Sequence, residues 1–210
     1  MTPSHDRGSG WRWFQRALIV SGLLALAWAG YQRAKPTLYR IAHREELLDL
    51  ERRRPVEPEK TVTGSDAPPA LGTLIATFEI PRLGFSELIA EGDDMDTLDA
   101  AIGHLPDTPM PWRSGNSAFA GHRDVQFRPL RNIRVGDGIV LQTGHGALHY
   151  RIRETLVVNP EEVWVLAPTE SRTLTLITCY PFVFVGHAPQ RFIVKADAVE
   201  RPSLLKSPDA

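Results

Sequence analysis

One uncharged stretch, Thr173 to Phe182 (TLTLITCYPF), constrains the fold more than any other part of the chain. Its first residues alternate threonine with leucine and isoleucine, a pattern that predicts a buried β-strand. The strand ends at Cys179, the only cysteine of the chain, because Pro181 stops a central strand. We therefore expect the thiol to lie at the rim of a sheet, where a substrate can reach it.

A second apolar stretch follows after one loop. It begins at Gln190, runs to Val194 and predicts another strand, with Arg191 at its start. A single short loop between two strands places the end of the first beside the start of the second. Cys179 and Arg191 are therefore expected at neighbouring strand ends.

A lone cysteine in an apolar strand is more often a small buried hydrophobic residue than a catalytic group. A histidine upstream favours the catalytic interpretation. The segment Asn116 to Asp124 (NSAFAGHRD) predicts a short strand that ends just before His122. The thiolate is the nucleophilic form of cysteine, and a free thiol is mostly protonated at neutral pH. An imidazole at a strand end can take that proton and later give it to a leaving amine.

The motifs TLITC and APQR, preceded by AFAGHRD, resemble those of the sortase family. The YPF after the cysteine and the segment GHRDVQFRPLRNIRVGD are similar to its class D branch. The resemblance covers about Leu71 to Ala198. It implies a mostly β fold, a closed eight-stranded β-barrel with short helices, preceded by an N-terminal transmembrane helix. The implied activity is that of a cysteine transpeptidase, which cuts an LPxTG-like sorting signal and joins the new carboxyl end to an amine.

Position by position, the resemblance makes Cys179 the nucleophile, His122 its acid/base partner and Arg191 the oxyanion or substrate-positioning group. Thr178 matches a threonine that lies beside the substrate in the family. Asp124 is close enough in sequence to orient His122, but it can equally cap the loop, so its role stays open. The implied partners are secreted proteins with a C-terminal sorting signal, an amine acceptor of the cell envelope, and membrane lipid around the N-terminal helix.

Composition narrows the remaining classes of function. The formal net charge of −1 over 210 residues argues against a nucleic-acid partner, since phosphate binding needs a clustered basic excess. A single cysteine forms neither an internal disulfide nor a cysteine-based zinc site. We expect no cofactor and no metal.

An apolar segment near the N-terminus predicts a retained, single-pass anchor in the cell membrane. Its uninterrupted part, Ala17 to Gly30, is shorter than the ~20 residues that span a bilayer, and tilt with snorkelling arginines makes up the difference. Because Ala27 and Ala29 form an AxA-like site, a cleaved signal peptide is the alternative. Basic residues flank both ends of the segment, so an extracytoplasmic catalytic domain is implied by the resemblance alone.

Five segments make up the predicted organisation. They are a short tail (1–12), the transmembrane anchor (13–33), a juxtamembrane helix and linker (34–69), the catalytic β-barrel (70–200) and a C-terminal tail (201–210). The juxtamembrane helix is predicted from apolar residues at helical spacing between Thr37 and Arg54. The linker is predicted from the Pro, Glu, Thr and Ser content of the following residues.

Two local features of the barrel region bear on the site. Asp93 and Asp94 precede apolar residues at helical spacing and predict the cap of a short helix. The segment Gly103 to Trp112 is rich in proline and predicts a loop. His104 in that loop can line the active site, although a structural role is the commoner one for a loop histidine.

Two functions of other classes stay open at this point. One is a cysteine hydrolase on the same fold, whose thioester goes to water instead of an amine. The other is a membrane-tethered β-barrel that binds a partner without chemistry, in which Cys179 is buried and inert.

Overall fold

The computed structural model describes residues 8–42, 69–184 and 186–199. The chain divides into two compact units, Met1–Ala42 and His43–Ala210. Within the described residues, the first unit holds helix α1 (Gly8–Ala42) and the second holds a β-barrel. The predicted juxtamembrane helix beyond Ala42, nearly all of the linker and the C-terminal tail lie outside the described residues.

Helix α1 carries an apolar stretch, Trp11–Tyr31, of 21 residues, which is long and apolar enough to cross a membrane. The side chains of this stretch are exposed, including those of Leu24, Leu26 and Trp28. An exposed apolar surface of this size is typical of a membrane or partner contact. The stretch overlaps the predicted anchor, and α1 continues beyond it into the predicted juxtamembrane segment.

The second unit is a closed barrel of eight strands, which confirms the predicted fold class. The strands are β1 (Leu74–Ile80), β2 (Phe85–Glu91), β3 (Ile102–His104), β4 (Asn116–Ala120), β5 (Gly138–Thr143), β6 (Gly146–Val158), β7 (Thr173–Tyr180) and β8 (Gln190–Val199). Their order around the barrel is β1-β2-β3-β4-β7-β8-β6-β5. The β2–β3 and β4–β7 pairs are parallel, and the other pairs are antiparallel.

Short helices lie in the connections between strands. They are α2 (Met95–Ala100) and the 3₁₀ helices Pro81–Leu83, Arg128–Asn132 and Val163–Leu166. Helix α2 begins where the sequence predicts its cap. The Asp94 carboxylate accepts hydrogen bonds from the backbone N–H groups of Asp96 (3.0 Å) and Thr97 (3.1 Å). These bonds satisfy donors that the first turn of a helix otherwise leaves unpaired.

Large apolar side chains fill the barrel interior. Leu174 and Leu176 of β7 are fully buried, as the alternation in TLTLI predicts. Phe78 and Phe127 are also fully buried and meet edge to face, with ring centroids 6.1 Å apart. Burying such side chains contributes roughly 1.5–3 kcal/mol each, so the barrel is a rigid scaffold for its rim.

The connection between β6 and β7 is fixed to the barrel by buried polar groups. The amide of Asn116 donates to the carbonyl oxygens of Val165 (3.1 Å) and Ala167 (3.2 Å) and accepts from the Thr175 hydroxyl (2.6 Å). Lys195 also donates to the Val165 carbonyl, at 2.9 Å. Burial lowers the pKa of the Lys195 ammonium below its ordinary value. These bonds hold the 3₁₀ turn Val163–Leu166 against β4 and β8.

The prediction of a loop from Gly103 to Trp112 is wrong at its start. Gly103 and His104 belong to β3, which pairs with β2 so that His104 lies beside Glu91. The His104 ring is 0% exposed, and its Nδ1 lies 2.8 Å from the Glu91 carboxylate. Its Nε2 lies within hydrogen-bond distance of Thr108 and of the Pro109 carbonyl. The pairing with β2 places His104 in a strand instead of a loop, with its ring buried against Glu91. His104 therefore has a structural role and does not line the cleft that contains Cys179.

The Glu91→Ala variant is expected to lose about 1–3 kcal/mol of unfolding free energy, because it leaves a buried ring nitrogen of His104 without its hydrogen-bond partner. Urea unfolding of the full-length protein in detergent measures this loss. Asp107→Ala removes an exposed carboxylate nearby and is the control, with an expected change under about 0.5 kcal/mol. Equal stability of the two variants would contradict the structural role of the pair.

Candidate active site

Three residues singled out from the sequence meet around one cleft. Cys179 near the end of β7, Arg191 in β8 and His122 after β4 line a cavity of about 370 Å³. Cys179 is partly exposed, as a reactive thiol requires. The other lining residues are Arg123, Asp124, Gly186, His187 and Ala188. The wall therefore carries two guanidinium groups, those of Arg123 and Arg191, and one carboxylate, that of Asp124, so its net positive charge favours negative charge on a bound group.

Strand pairing explains why these residues converge. Strands β4 and β7 are parallel, with Ala120 beside Ile177, so both strands end at the same rim of the barrel. His122 and Cys179 each follow two residues after that pair. Strand β8 returns antiparallel to β7 and places Arg191 directly opposite Cys179. Cross-strand neighbours in a sheet have Cβ atoms about 4.5–5.5 Å apart, so the thiol and the guanidinium share one edge.

Thr178 lies on the opposite face of β7 from Cys179, since side chains alternate along a strand. It is 2% exposed, and its hydroxyl donates a 2.7 Å hydrogen bond to the carbonyl oxygen of Gly121. Thr178 thus ties the cysteine strand to the residue before His122. A contact of Thr178 with substrate stays a prediction.

His122 is held by groups on two sides. Its backbone N–H donates to the side-chain oxygen of Gln126 at 3.1 Å. Its ring Nε2 lies 3.5 Å from a carboxylate oxygen of Asp99 in α2. Sequence reasoning considered Asp124 and missed Asp99, because only the position of α2 beside the β4 rim brings these residues together. No local motif signals that proximity.

Arg191 lies with its guanidinium at the cleft. Nη1 donates to the carbonyl oxygens of Gln190 (3.0 Å) and Ala188 (3.3 Å), which fixes the side chain at the end of the β7–β8 loop. A guanidinium carries five N–H donors in a planar fork. Only the Nη1 group is used by these two bonds, so the fork retains donors for an oxygen that enters the cleft.

Arg123 holds the start of the same loop and was not singled out from the sequence. Nη1 donates to the Pro181 carbonyl (3.0 Å), and Nη2 donates to those of Phe184 (3.0 Å) and Gly186 (3.4 Å). The guanidinium carbon also lies 5.9 Å from the centre of the Phe184 ring. Arg123 therefore links the residue after His122 to the loop that follows Cys179.

The Arg123→Gln variant is expected to lower kcat/KM for a peptide substrate about 10-fold or more, because charge-assisted bonds to the loop contribute ~1.5–3 kcal/mol each. The rate at which iodoacetamide alkylates Cys179 is expected to stay close to wild type, since a small reagent does not need the loop. Steady-state kinetics and timed alkylation measure the two quantities. The exposed Arg128→Gln makes the same charge change and is the control.

Alkylation that slows as much as peptide turnover in Arg123→Gln would contradict a role confined to the loop.

The described residues contain no group of three or more His, Cys, Asp or Glu side chains placed to hold a metal ion.

A closed barrel that brings a thiol, an imidazole and a guanidinium to one cleft has the groups expected of an enzyme that transfers acyl groups through a cysteine. Residues 78–199 match the family model of the sortase domain. The chain belongs to the sortase family and is a cysteine transpeptidase of the sortase type, as its motifs predict.

Named relatives agree with this assignment. The chain is 29% identical to sortase D of Bacillus subtilis over 185 residues, which cover 84% of this chain and 93% of that protein. A solved structure of a Clostridium perfringens sortase D5 transpeptidase is similar, with a TM-score of 0.57 and 34% identity, covering 62% of this chain and 82% of that one. Sortase E1 of Streptomyces coelicolor, solved with a tripeptide in its active site, matches with a TM-score of 0.54 and 31% identity, covering 61% and 90%.

Proposed function

We propose that this protein is a membrane-anchored sortase that cleaves an LPxTG-like sorting signal in secreted proteins and transfers the acyl group to an amine of the cell envelope. The observation that carries the proposal is the convergence of Cys179, His122 and Arg191 on one cleft at the rim of the barrel. The family supplies the reaction type, and the cleft supplies a nucleophile, a proton carrier and a cation.

In the first half-reaction, the Cys179 thiolate attacks the carbonyl carbon of the scissile peptide bond. The carbonyl oxygen gains negative charge as the tetrahedral intermediate forms. His122 then gives a proton to the departing amine nitrogen as the C–N bond breaks, which leaves a thioester on Cys179. Without that proton, the amine would leave as an unstable anion.

Arg191 is proposed to bind the oxygen that becomes negative. It lies opposite Cys179 across the β7–β8 pair, and its fork retains donors beyond the two loop carbonyls. A preorganised donor at this position stabilises the transition state more than the substrate, and the loss of one such donor typically costs ~10²–10³-fold in rate.

In the second half-reaction, an amine attacks the thioester and forms a new amide bond. His122 accepts the proton that the attacking nitrogen loses, and Cys179 leaves as a thiolate. A hydrolase on the same scaffold would use water for this step. The identity of the nucleophile therefore separates a transpeptidase from a hydrolase.

The proposed location is the cell membrane, with the barrel on the extracytoplasmic side. The apolar stretch Trp11–Tyr31 supports an anchor in lipid, because its side chains are exposed and apolar. Secreted proteins carrying a sorting signal and envelope amines are the proposed partners. Secreted proteins and envelope amines both lie outside the cytoplasm, so a barrel on that side of the membrane can reach them.

Product analysis of the full-length protein in detergent tests the proposal. The protein is incubated with a library of LPxTG-like peptides, with and without a small primary amine, and products are identified by mass spectrometry. We expect an amine-linked product that depends on the amine. Only hydrolysed peptide, at any amine concentration, would favour the hydrolase, and an intact library would contradict the proposed substrate class.

A further inference from the structure

The environment of His122 contains a carboxylate that no motif of the sequence indicates. Asp99 in α2 has one oxygen 3.5 Å from His122 Nε2. The two side chains are 29% and 33% exposed, so both are partly shielded from water. A carboxylate oxygen at this distance attracts the N–H of the imidazole and restrains the orientation of its ring.

A buried glutamine fixes this geometry. Gln126 is 3% exposed and accepts the backbone N–H of His122 at 3.1 Å. Its side-chain NH₂ group donates to the carbonyl oxygen of Leu98, the residue before Asp99, at 2.7 Å. One buried side chain therefore connects the histidine backbone to the end of α2. These two bonds restrain the distance between the His122 backbone and the residue before Asp99.

The start of α2 is fixed as well. The Asp94 carboxylate caps the helix through Thr97, whose hydroxyl donates to it at 2.7 Å. On the histidine side, the backbone N–H of Phe127 donates to the His122 carbonyl at 2.9 Å, and the Phe127 ring is fully buried. His122 and Asp99 thus lie on segments that further hydrogen bonds hold in place.

We propose that Asp99 is a positioning residue for His122, which it orients to deliver a proton to the leaving amine. This inference rests on the proposed function of Cys179 and His122. The imidazolium gives the proton of Nδ1, the ring nitrogen that does not face Asp99, to the departing nitrogen as the C–N bond breaks. His122 becomes neutral, and the electron pair of the broken bond stays with the amine. The charged or titratable groups that line the cleft with His122 are Cys179, Asp124, Arg123, Arg191 and His187.

A pair of substrates with different leaving groups tests this role. One is a peptide amide, whose amine must be protonated to leave. The other is the same acyl peptide as an activated aryl ester, whose phenolate leaves without a proton. In Asp99→Asn, acylation by the amide is expected to fall about 10-fold, a part of the ~10²–10⁴-fold that a general acid supplies. Acylation by the ester and the KM for both substrates are expected to stay near wild type.

Two further variants complete the test. Asp96→Asn removes an exposed carboxylate one turn earlier in α2 and is expected to leave both rates unchanged. Asp99→Glu keeps the charge and is expected to restore part of the amide rate. An additional His122→Ala change should abolish the selective effect of Asp99→Asn, since residues that act together are not additive.

Several results would overturn the assignment. Equal losses on amide and ester would indicate a general structural role, and an unchanged amide rate would remove Asp99 from the reaction. A selective loss in Asp124→Asn in place of Asp99→Asn would assign the role to Asp124. Assay of the wild-type protein with both substrates tests the proposed function separately. If the wild-type protein turns over neither substrate, the proposed function fails. If it turns over both and Asp99→Asn shows no selective loss, only the role of Asp99 fails.

Discussion

The Cys179→Ala variant of the full-length protein is expected to show no detectable turnover of a sorting-signal peptide, because no other thiol exists in the chain to form the thioester. The fold should persist. Cys179 lies near the end of β7 and is partly exposed, so removal of one sulfur atom opens only a small cavity. Chromatographic product analysis measures turnover, and circular dichroism during thermal unfolding measures the fold.

A substitution at a buried neighbour controls for indirect effects on Cys179. Thr178→Val removes the hydroxyl that bonds the Gly121 carbonyl but keeps the thiol, so it retains the ability to form a thioester. Turnover at the wild-type rate in Cys179→Ala would show that the nucleophile lies elsewhere. Loss of the unfolding transition in that variant would show that the thiol is needed for folding.

The His122→Ala variant is expected to lower turnover by ~10²–10⁴-fold, the usual contribution of a general acid or base. The loss arises at both half-reactions, because the leaving amine must gain a proton and the incoming amine must lose one. Single-turnover kinetics with a peptide amide resolve acylation, and addition of amine to the preformed thioester resolves the second step.

His145→Ala is the matched control for that variant. His145 is exposed in the β5–β6 turn, stacks on Trp112 at a ring distance of 4.1 Å and does not line the cleft. Its loss is expected to leave turnover unchanged. Normal acylation and transfer rates in His122→Ala would remove His122 from the mechanism, and an equal loss in both variants would indicate an effect on the fold.

The sequence predicts the rim of the barrel well because the signals there are local. Alternation of apolar residues identifies β7, and the loop between Cys179 and Arg191 is short enough to make the two strands neighbours. The capping carboxylate of α2 is also a local signal, and the structure confirms it. The strand alternation and the helix cap depend on residues within a few positions of one another, and a single loop connects β7 to β8.

Other features of the site depend on pairing across the barrel. The parallel pairing of β4 and β7 brings His122 to the thiol, and nothing in either segment alone specifies that partner. The contact between Asp99 and His122 requires the position of α2. The prolines after His104 predict a loop, whereas pairing with Glu91 places His104 in β3. Long-range contacts of this kind have no periodic signature in a single sequence.

The intact mass of the full-length protein, measured after incubation with an LPxTG-like peptide amide in the absence of amine, reports whether Cys179 accepts the acyl group. We expect a mass increase equal to the acyl part of the peptide, located on the Cys179 peptide after digestion and removed when an amine is added. Cleavage of the peptide with no adduct on Cys179, or an adduct at another residue, would contradict acyl transfer through this thiol.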